Sequence, residues 1–114
     1  MENINTLLEK YNNFKDAQIR SIVQTTDSSK TLTLVTQDDD GEDVDTIKIE
    51  FAKIKESRIL EGSVLPFLDM MSGITLIKEH EQYGFAVGSG TSMLHVHSAP
   101  MYIVSSEMTI QQGL

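Results

Sequence analysis

The chain contains no cysteine, and this absence excludes disulfide scaffolds, zinc sites with thiolate ligands and cysteine nucleophiles. Its nine Lys and Arg residues are scattered singly, so no basic patch is present to contact nucleic-acid phosphates. No stretch approaches the roughly 18 consecutive apolar residues of a membrane-spanning helix. We therefore expect neither nucleic-acid binding nor membrane insertion.

The first 14 residues lack both features of a secretory signal, a basic start and a continuous apolar run. A cytoplasmic location is the resulting prediction. With 114 residues, 39% hydrophobic and 23% charged, the composition is that of an ordinary globular protein. A chain of this length predicts a single domain over residues 1–114 with one core.

Acidic residues are concentrated in one short segment around Gly41. The formal net charge of −8 falls to −2 when its six carboxylates are left out. The segment separates two stretches of alternating apolar residues, which predicts the tip of a β-hairpin. Its members are Asp38, Asp39, Asp40, Glu42, Asp43 and Asp45.

The remaining pattern is dominated by short β-strands. Helical spacing of apolar residues predicts a helix over residues 3–13, with Asn3 as N-cap and Asn12-Asn13 at its end. Residues 31–36 and 46–53 alternate and should pair antiparallel, and residues 54–60 are expected to form a further short strand. A second hairpin is expected over residues 74–87. A second, short helix is predicted within residues 64–71, with Pro66 in its first turn and Gly73 at its end.

About seven short strands with an N-terminal helix and a short connecting helix indicate a mostly β (α+β) fold. The prediction is an antiparallel β-sandwich or open barrel. Gly84 is expected to mark a bulge. Alternation within strands predicts which apolar residues form the core: Leu7, Ile19, Val23, Leu32, Leu34, Ile47, Ile49, Phe51, Leu76, Phe85, Val87, Tyr102 and Val104.

Three interpretations of the acidic segment can be compared. An EF-hand loop with Gly41 at its sixth position would place Thr36 first and Ile47 twelfth, so both anchoring carboxylates are missing. A solvated hairpin tip needs no function at all. A contact surface for a basic partner protein explains why the acidity is local.

Two histidines offer an alternative function. His95 and His97 are two residues apart, so on a strand their imidazoles would share a face and could bind a divalent metal. A third ligand is required, and His80 could supply it only from a neighbouring strand. The competing interpretation is a polar strand surface with Leu94 and Val96 turned inward.

No combination of residues predicts catalysis. Ser89, Ser92, Asp69 and the histidines do not form a nucleophile with its base, and Gly88-Ser89-Gly90 matches neither a nucleophile elbow nor a phosphate loop. The Gly-rich stretch is expected to be a flexible loop. We therefore predict that the chain is not an enzyme and has no cofactor.

The first half of the chain resembles a group of small bacterial β-rich domains. Phe14, Asp16, Ala17 and Ile19 match the entry into their first strand, and Ile47, Ile49 and Phe51 match a later hairpin strand. These small uncharacterised domains include some polymorphic-toxin immunity proteins. The resemblance implies a non-enzymatic domain that neutralises a partner, while the second half departs from the pattern. The acidic segment indicates the class of such a partner, a basic protein such as a nuclease toxin.

Overall fold

In the computed structural model, residues 4–15, 17–60, 65, 70–88, 90 and 92–112 are described. They form mostly β-structure with two α-helices. In chain order the elements are α1 (Ile4–Lys10), a short helical turn (Asn12–Phe14), β1 (Gln18–Thr26), β2 (Ser29–Gln37), β3 (Asp43–Arg58), β4 (Ile74–Glu79), β5 (Gln82–Val87), α2 (Met93–Ser98) and β6 (Tyr102–Gln112). The six strands make one antiparallel sheet in the order β1-β2-β3-β6-β5-β4.

The predicted pairing of the acidic hairpin is confirmed. Leu32 lies opposite Ile49, and Leu34 lies opposite Ile47. All four side chains are fully buried on one face of the sheet. This outcome follows from strict alternation, because a register slip of one residue would have turned the apolar set towards solvent.

The main core lies between this face and the N-terminal segment. Leu7 of α1 and Phe14 of the following turn are fully buried against it. Asn12 and Asn13 have φ values of 52° and 57°, and the helix ends at this asparagine pair as predicted. The other large buried residues of the main core are Leu32, Leu34, Ile47, Ile49, Phe51, Leu76, Phe85, Met101 and Ile103.

Val23, predicted to be buried, is 54% exposed. The ladder between β1 and β2 shifts between Ile19 and Ser21, so Arg20 is an extra residue on β1. A β-bulge of this kind reverses the alternation beyond it. Ile22 consequently packs against the core and Val23 does not.

A second apolar cluster lies on the opposite face, where α2 covers β4, β5 and β6. The prediction that residues 94–97 form a strand is therefore wrong, and Leu94 is 80% exposed while Val96 is buried. Tyr102 and Val104, which were assigned to the main core, belong to this second cluster.

Gly84 permits α2 to approach the sheet. The register of β4 and β5 is regular through Gly84, so the predicted bulge is absent from this hairpin. A Cβ on Gly84 would lie 2.9 Å from Met93 Sδ and 3.1 Å from Val96 Cγ2. The glycine thus marks close packing of a helix on the strand.

The mostly β, antiparallel class is confirmed, and its architecture is one open sheet. Residues 46–53 and 54–60, predicted as separate strands, lie largely within the single strand β3. Within the described residues all six strands belong to this one sheet, and the helix α2 lies where a further strand was predicted. The predicted helix after Pro66 and the N-cap Asn3 fall outside the described residues, although Leu65 and Met70 are described and buried. None of the helices described has the length and apolar character needed to cross a membrane.

Candidate functional site

The acidic segment forms a tight turn between β2 and β3. The Asp38 N–H donates to the Glu42 carbonyl at 2.9 Å, and the Gly41 N–H donates to the Asp38 carbonyl at 3.0 Å, closing a loop of three residues. Gly41 has φ +81°, the left-handed conformation that glycine adopts without steric cost. This is the common three-residue hairpin loop, in which a type I turn is followed by a left-handed bulge residue.

Asp38 stabilises this turn from within. Its Oδ1 accepts hydrogen bonds from the backbone N–H groups of Asp40 at 2.9 Å and Glu42 at 3.0 Å. A carboxylate bonded to the backbone two residues on is a recurrent means of fixing a turn. The Asp38 side chain therefore has a structural role, and the tip it holds has a defined conformation.

Asp43 is neutralised by a basic residue from another strand. Arg20 contacts both of its carboxylate oxygens, at 3.2 Å and 3.3 Å, and the Gln37 amide donates to it at 3.0 Å. The Arg20 hydrogen bond, followed by that of Gln37, holds the pKa of Asp43 below its ordinary value of 3.8. This pairing could not be predicted from the sequence, because Arg20 and Asp43 are far apart along the chain.

The six acidic residues thus divide by their contacts. Two are engaged, Asp38 with the backbone and Asp43 with Arg20. Asp39, Asp40 and Glu42 are exposed and have no cationic partner within the described part of the chain. We call these three residues the acidic tip. Asp45 lies further along β3, opposite Thr36, and is half-buried.

The two histidines lie on α2, so the premise of the metal interpretation is wrong. Residues two apart on a helix are separated by about 160° around its axis, so their side chains point to nearly opposite sides. His97 Nε2 lies 2.8 Å from Glu56 Oε2, and its ring meets Tyr102 edge-on. His80 lies in the turn between β4 and β5. Among the residues described, no three His, Cys, Asp or Glu side chains are grouped closely enough to hold a metal ion.

His95 is packed under the loop that precedes α2. Its Nε2 is buried and has no hydrogen-bond partner among the described residues. A Cβ on Gly90 would lie 2.2 Å from His95 Cδ2, so the glycine leaves the space that the imidazole fills. Gly90, predicted to belong to a flexible loop, is instead a packing residue. Ser89 lies outside the described residues.

The start of α2 has a signal that the sequence analysis missed. Ser92 Oγ accepts from the His95 N–H at 3.3 Å, the contact of an N-cap. Glu79 Oε2 accepts from the Met93 N–H at 3.3 Å. Ser92 could have indicated a helix start, whereas Glu79 comes from β4 and could not be anticipated.

Two depressions lie among the described residues. One, of about 320 Å³, lies on the open sheet face among Thr31, Lys48, Glu50, Thr109 and Gln111. The other, of about 750 Å³, runs beside the β4 edge and is lined by Asn5, Leu8, Asn13, residues 74–77 and Gly90. Ser89 and Asp69, which were considered as catalytic candidates, lie outside the described residues.

Comparison of the chain with known proteins finds no matching family, no matching curated protein and no matching solved structure.

Proposed function

We propose that this chain is a non-enzymatic domain that binds a basic partner protein through the acidic tip. The supporting observation is that a hydrogen-bonded turn holds Asp39, Asp40 and Glu42 outward, with no cation beside them in the part of the chain described. A turn fixed in advance loses little conformational freedom when it is bound.

The expected contribution of the acidic tip is to specificity and to the rate of association. Exposed carboxylates attract a basic surface over about 8 Å at physiological salt, and mismatched partners are repelled. Asp43 contributes less because Arg20 already neutralises it. The tip, Asp38 and Asp45 therefore carry the negative charge of the segment that no basic residue of the described chain neutralises.

The partner class that fits this surface is a protein with a positively charged nucleic-acid groove, such as a nuclease. Such a groove attracts carboxylates for the same reason that it attracts phosphates. The resemblance of the first half of the chain to domains that include immunity proteins supports the same class. We further propose that this neutralisation takes place in the cytoplasm.

The experiment compares two variants of equal charge. The tip variant carries Asp39→Asn, Asp40→Asn and Glu42→Gln, and keeps Asp38 and Gly41 because they build the turn. The control variant carries Glu9→Gln, Asp27→Asn and Glu81→Gln, three exposed positions on α1 and on two other turns.

Immobilised wild type and both variants are first used to capture proteins from the native source. For each basic protein that the wild type retains, we then measure the dissociation constant at several salt concentrations. Each exposed ion pair contributes about 0.2–1 kcal/mol. Loss of three should weaken binding between about threefold and about 150-fold at low salt and flatten the salt dependence, with the control close to wild type. Equal retention by tip and control variants would contradict the proposal.

A further inference from the structure

The sequence contains one Asp-Gly step and no Asn-Gly step, and the structure places this step, Asp40-Gly41, in the hairpin loop between β2 and β3. Asp40 is exposed, and a Cβ built on Gly41 would meet nothing within 4 Å. Water therefore reaches this peptide unit freely, and no side chain on Gly41 shields its nitrogen. Both conditions favour attack of the backbone nitrogen on the side chain of the preceding aspartate.

The reaction open to an Asp-Gly step is isomerisation through a cyclic imide. The Gly41 nitrogen attacks Cγ of Asp40 while that carboxyl group is protonated. An N–Cγ bond forms, a Cγ–O bond breaks, and the hydroxyl leaves as water with the amide hydrogen. Water then opens the five-membered ring at either carbonyl and gives aspartate or isoaspartate, so no oxidant or other co-reactant is needed. Because both reacting groups belong to adjacent residues, ring closure needs only the right geometry.

The closed turn opposes this geometry. The Gly41 N–H is already donated to the Asp38 carbonyl at 3.0 Å, and Asp38 Oδ1 accepts from the N–H groups of Asp40 at 2.9 Å and Glu42 at 3.0 Å. In a type I turn the second central residue has ψ of roughly 0°, which turns the next nitrogen away from the Cγ of that residue. Ring closure thus requires rotation about the Cα–C bond of Asp40 and loss of these hydrogen bonds.

We infer that Asp40 is a site of spontaneous isomerisation to isoaspartate, and that Asp38 restrains the reaction by keeping the turn closed. Local opening of an exposed turn is fast compared with imide formation, so the rate follows the fraction of turns that are open. Loss of both side-chain hydrogen bonds of Asp38 should raise that fraction, and the rate with it, between about fivefold and about 150-fold.

Isomerisation changes the shape of the acidic tip and leaves its number of carboxylates unchanged. In isoaspartate the main chain runs through the former side chain, so the loop gains one methylene group. The hairpin loop with a left-handed glycine at its third position is specific in length. The isomerised chain therefore loses the turn conformation that Asp38 fixes, whatever the tip binds.

The test compares two substitutions that remove the same charge. Asp38→Asn keeps an oxygen that can accept both backbone hydrogen bonds, whereas Asp38→Ala removes it. Wild type, both variants and a free peptide of residues 36–46 are aged side by side in mildly acidic buffer, and peptide mapping by electron-transfer mass spectrometry measures isoaspartate at each position. Circular dichroism checks that the chains remain folded. Asp40→Glu lengthens the side chain by one methylene, which prevents this ring and identifies the signal of Asp40. The exposed Asp27-Ser28 step in the β1–β2 turn reports loosening elsewhere in the chain.

The free peptide should isomerise fastest at Asp40. Wild type and Asp38→Asn should be slow and alike, and Asp38→Ala should be faster by the factor given above, with Asp27 unchanged in all three chains. The inference is overturned if wild type reacts as fast as the peptide, if Asp38→Ala is no faster than Asp38→Asn, or if Asp27 and Asp40 accelerate equally in Asp38→Ala. A peptide in which Asp40 stays unmodified would show that it is not a site of isomerisation.

Discussion

Gly90 and His95 show how the absence of one side chain determines the position of another. The imidazole occupies the space that a Cβ on Gly90 would need, since the two would lie 2.2 Å apart. His95 gains burial there at the cost of an Nε2 that lacks a hydrogen-bond partner among the described residues. The energetic effect of each residue should therefore depend on the other.

We expect Gly90→Ala to lower the free energy of unfolding by about 1–3 kcal/mol, because the ring must be displaced. In a His95→Ala background the same change should be neutral or slightly stabilising, since alanine restricts the unfolded chain more than glycine does. Urea denaturation of the wild type, both single variants and the double variant measures the coupling. An equal cost of Gly90→Ala in both backgrounds would show that the contact does not matter.

Among the elements, the β4–β5 hairpin was predicted from its two apolar runs, and its turn has an unusual composition. Glu79 pairs with Gln82, so His80 and Glu81 are the two central residues, with φ values of 51° and 63°. Two consecutive positive φ angles define a type I′ turn, for which Asn-Gly is the preferred pair. His is one of the non-glycine residues enriched in this conformation, but Glu is not.

Replacing His80-Glu81 with Asn-Gly should raise the free energy of unfolding by about 1–2 kcal/mol, as the left-handed conformation becomes less costly. The control is the corresponding change at Asp27-Ser28, the β1–β2 turn, where neither residue has a positive φ. Thermal unfolding compares the two. A gain at both turns, or at neither, would refute the assignment of the benefit to the φ angles.

How well each element could be predicted depended on how local its determinants are. The β2–β3 hairpin was predictable because period-two alternation, a glycine and turn-forming acids all lie within one short stretch. The helix α2 was not, because Leu94-His95-Val96-His97 also alternates and the deciding contacts come from Gly84 and Glu79 on other strands. Val23 was misplaced because a bulge at Arg20 is a backbone event without a residue signature. At the candidate site, the position of the tip was predictable and the neutralisation of Asp43 was not.

At the scale of the whole molecule, charge is distributed unevenly between the ends of the sheet. Most of the net charge lies where β2 turns into β3, and Arg20 offsets part of it. Arg20 forms an ion pair with Asp43, Lys53 forms one with Glu107, and His97 contacts Glu56. Both ion pairs are exposed, so each contributes little to stability and is weakened by salt. Repulsion within the acidic segment acts in the opposite direction.

Salt should therefore increase stability slightly. Neighbouring carboxylates also repel in the unfolded chain, so only the extra repulsion caused by their closer approach in the turn lowers stability. Raising sodium chloride from about 50 mM to 500 mM should therefore increase the free energy of unfolding by about 0.5 kcal/mol. The tip variant, Asp39→Asn with Asp40→Asn and Glu42→Gln, should be more stable than wild type at low salt and gain less from added salt. The control variant, Glu9→Gln with Asp27→Asn and Glu81→Gln, loses the same charge elsewhere and should respond as wild type does. Urea unfolding at both salt concentrations separates the effect of the ion pairs from that of the repulsion. A wild type destabilised by salt would mean that the exposed ion pairs outweigh the repulsion. Equal responses of both variants would mean that total charge, and not its position at the hairpin, governs stability.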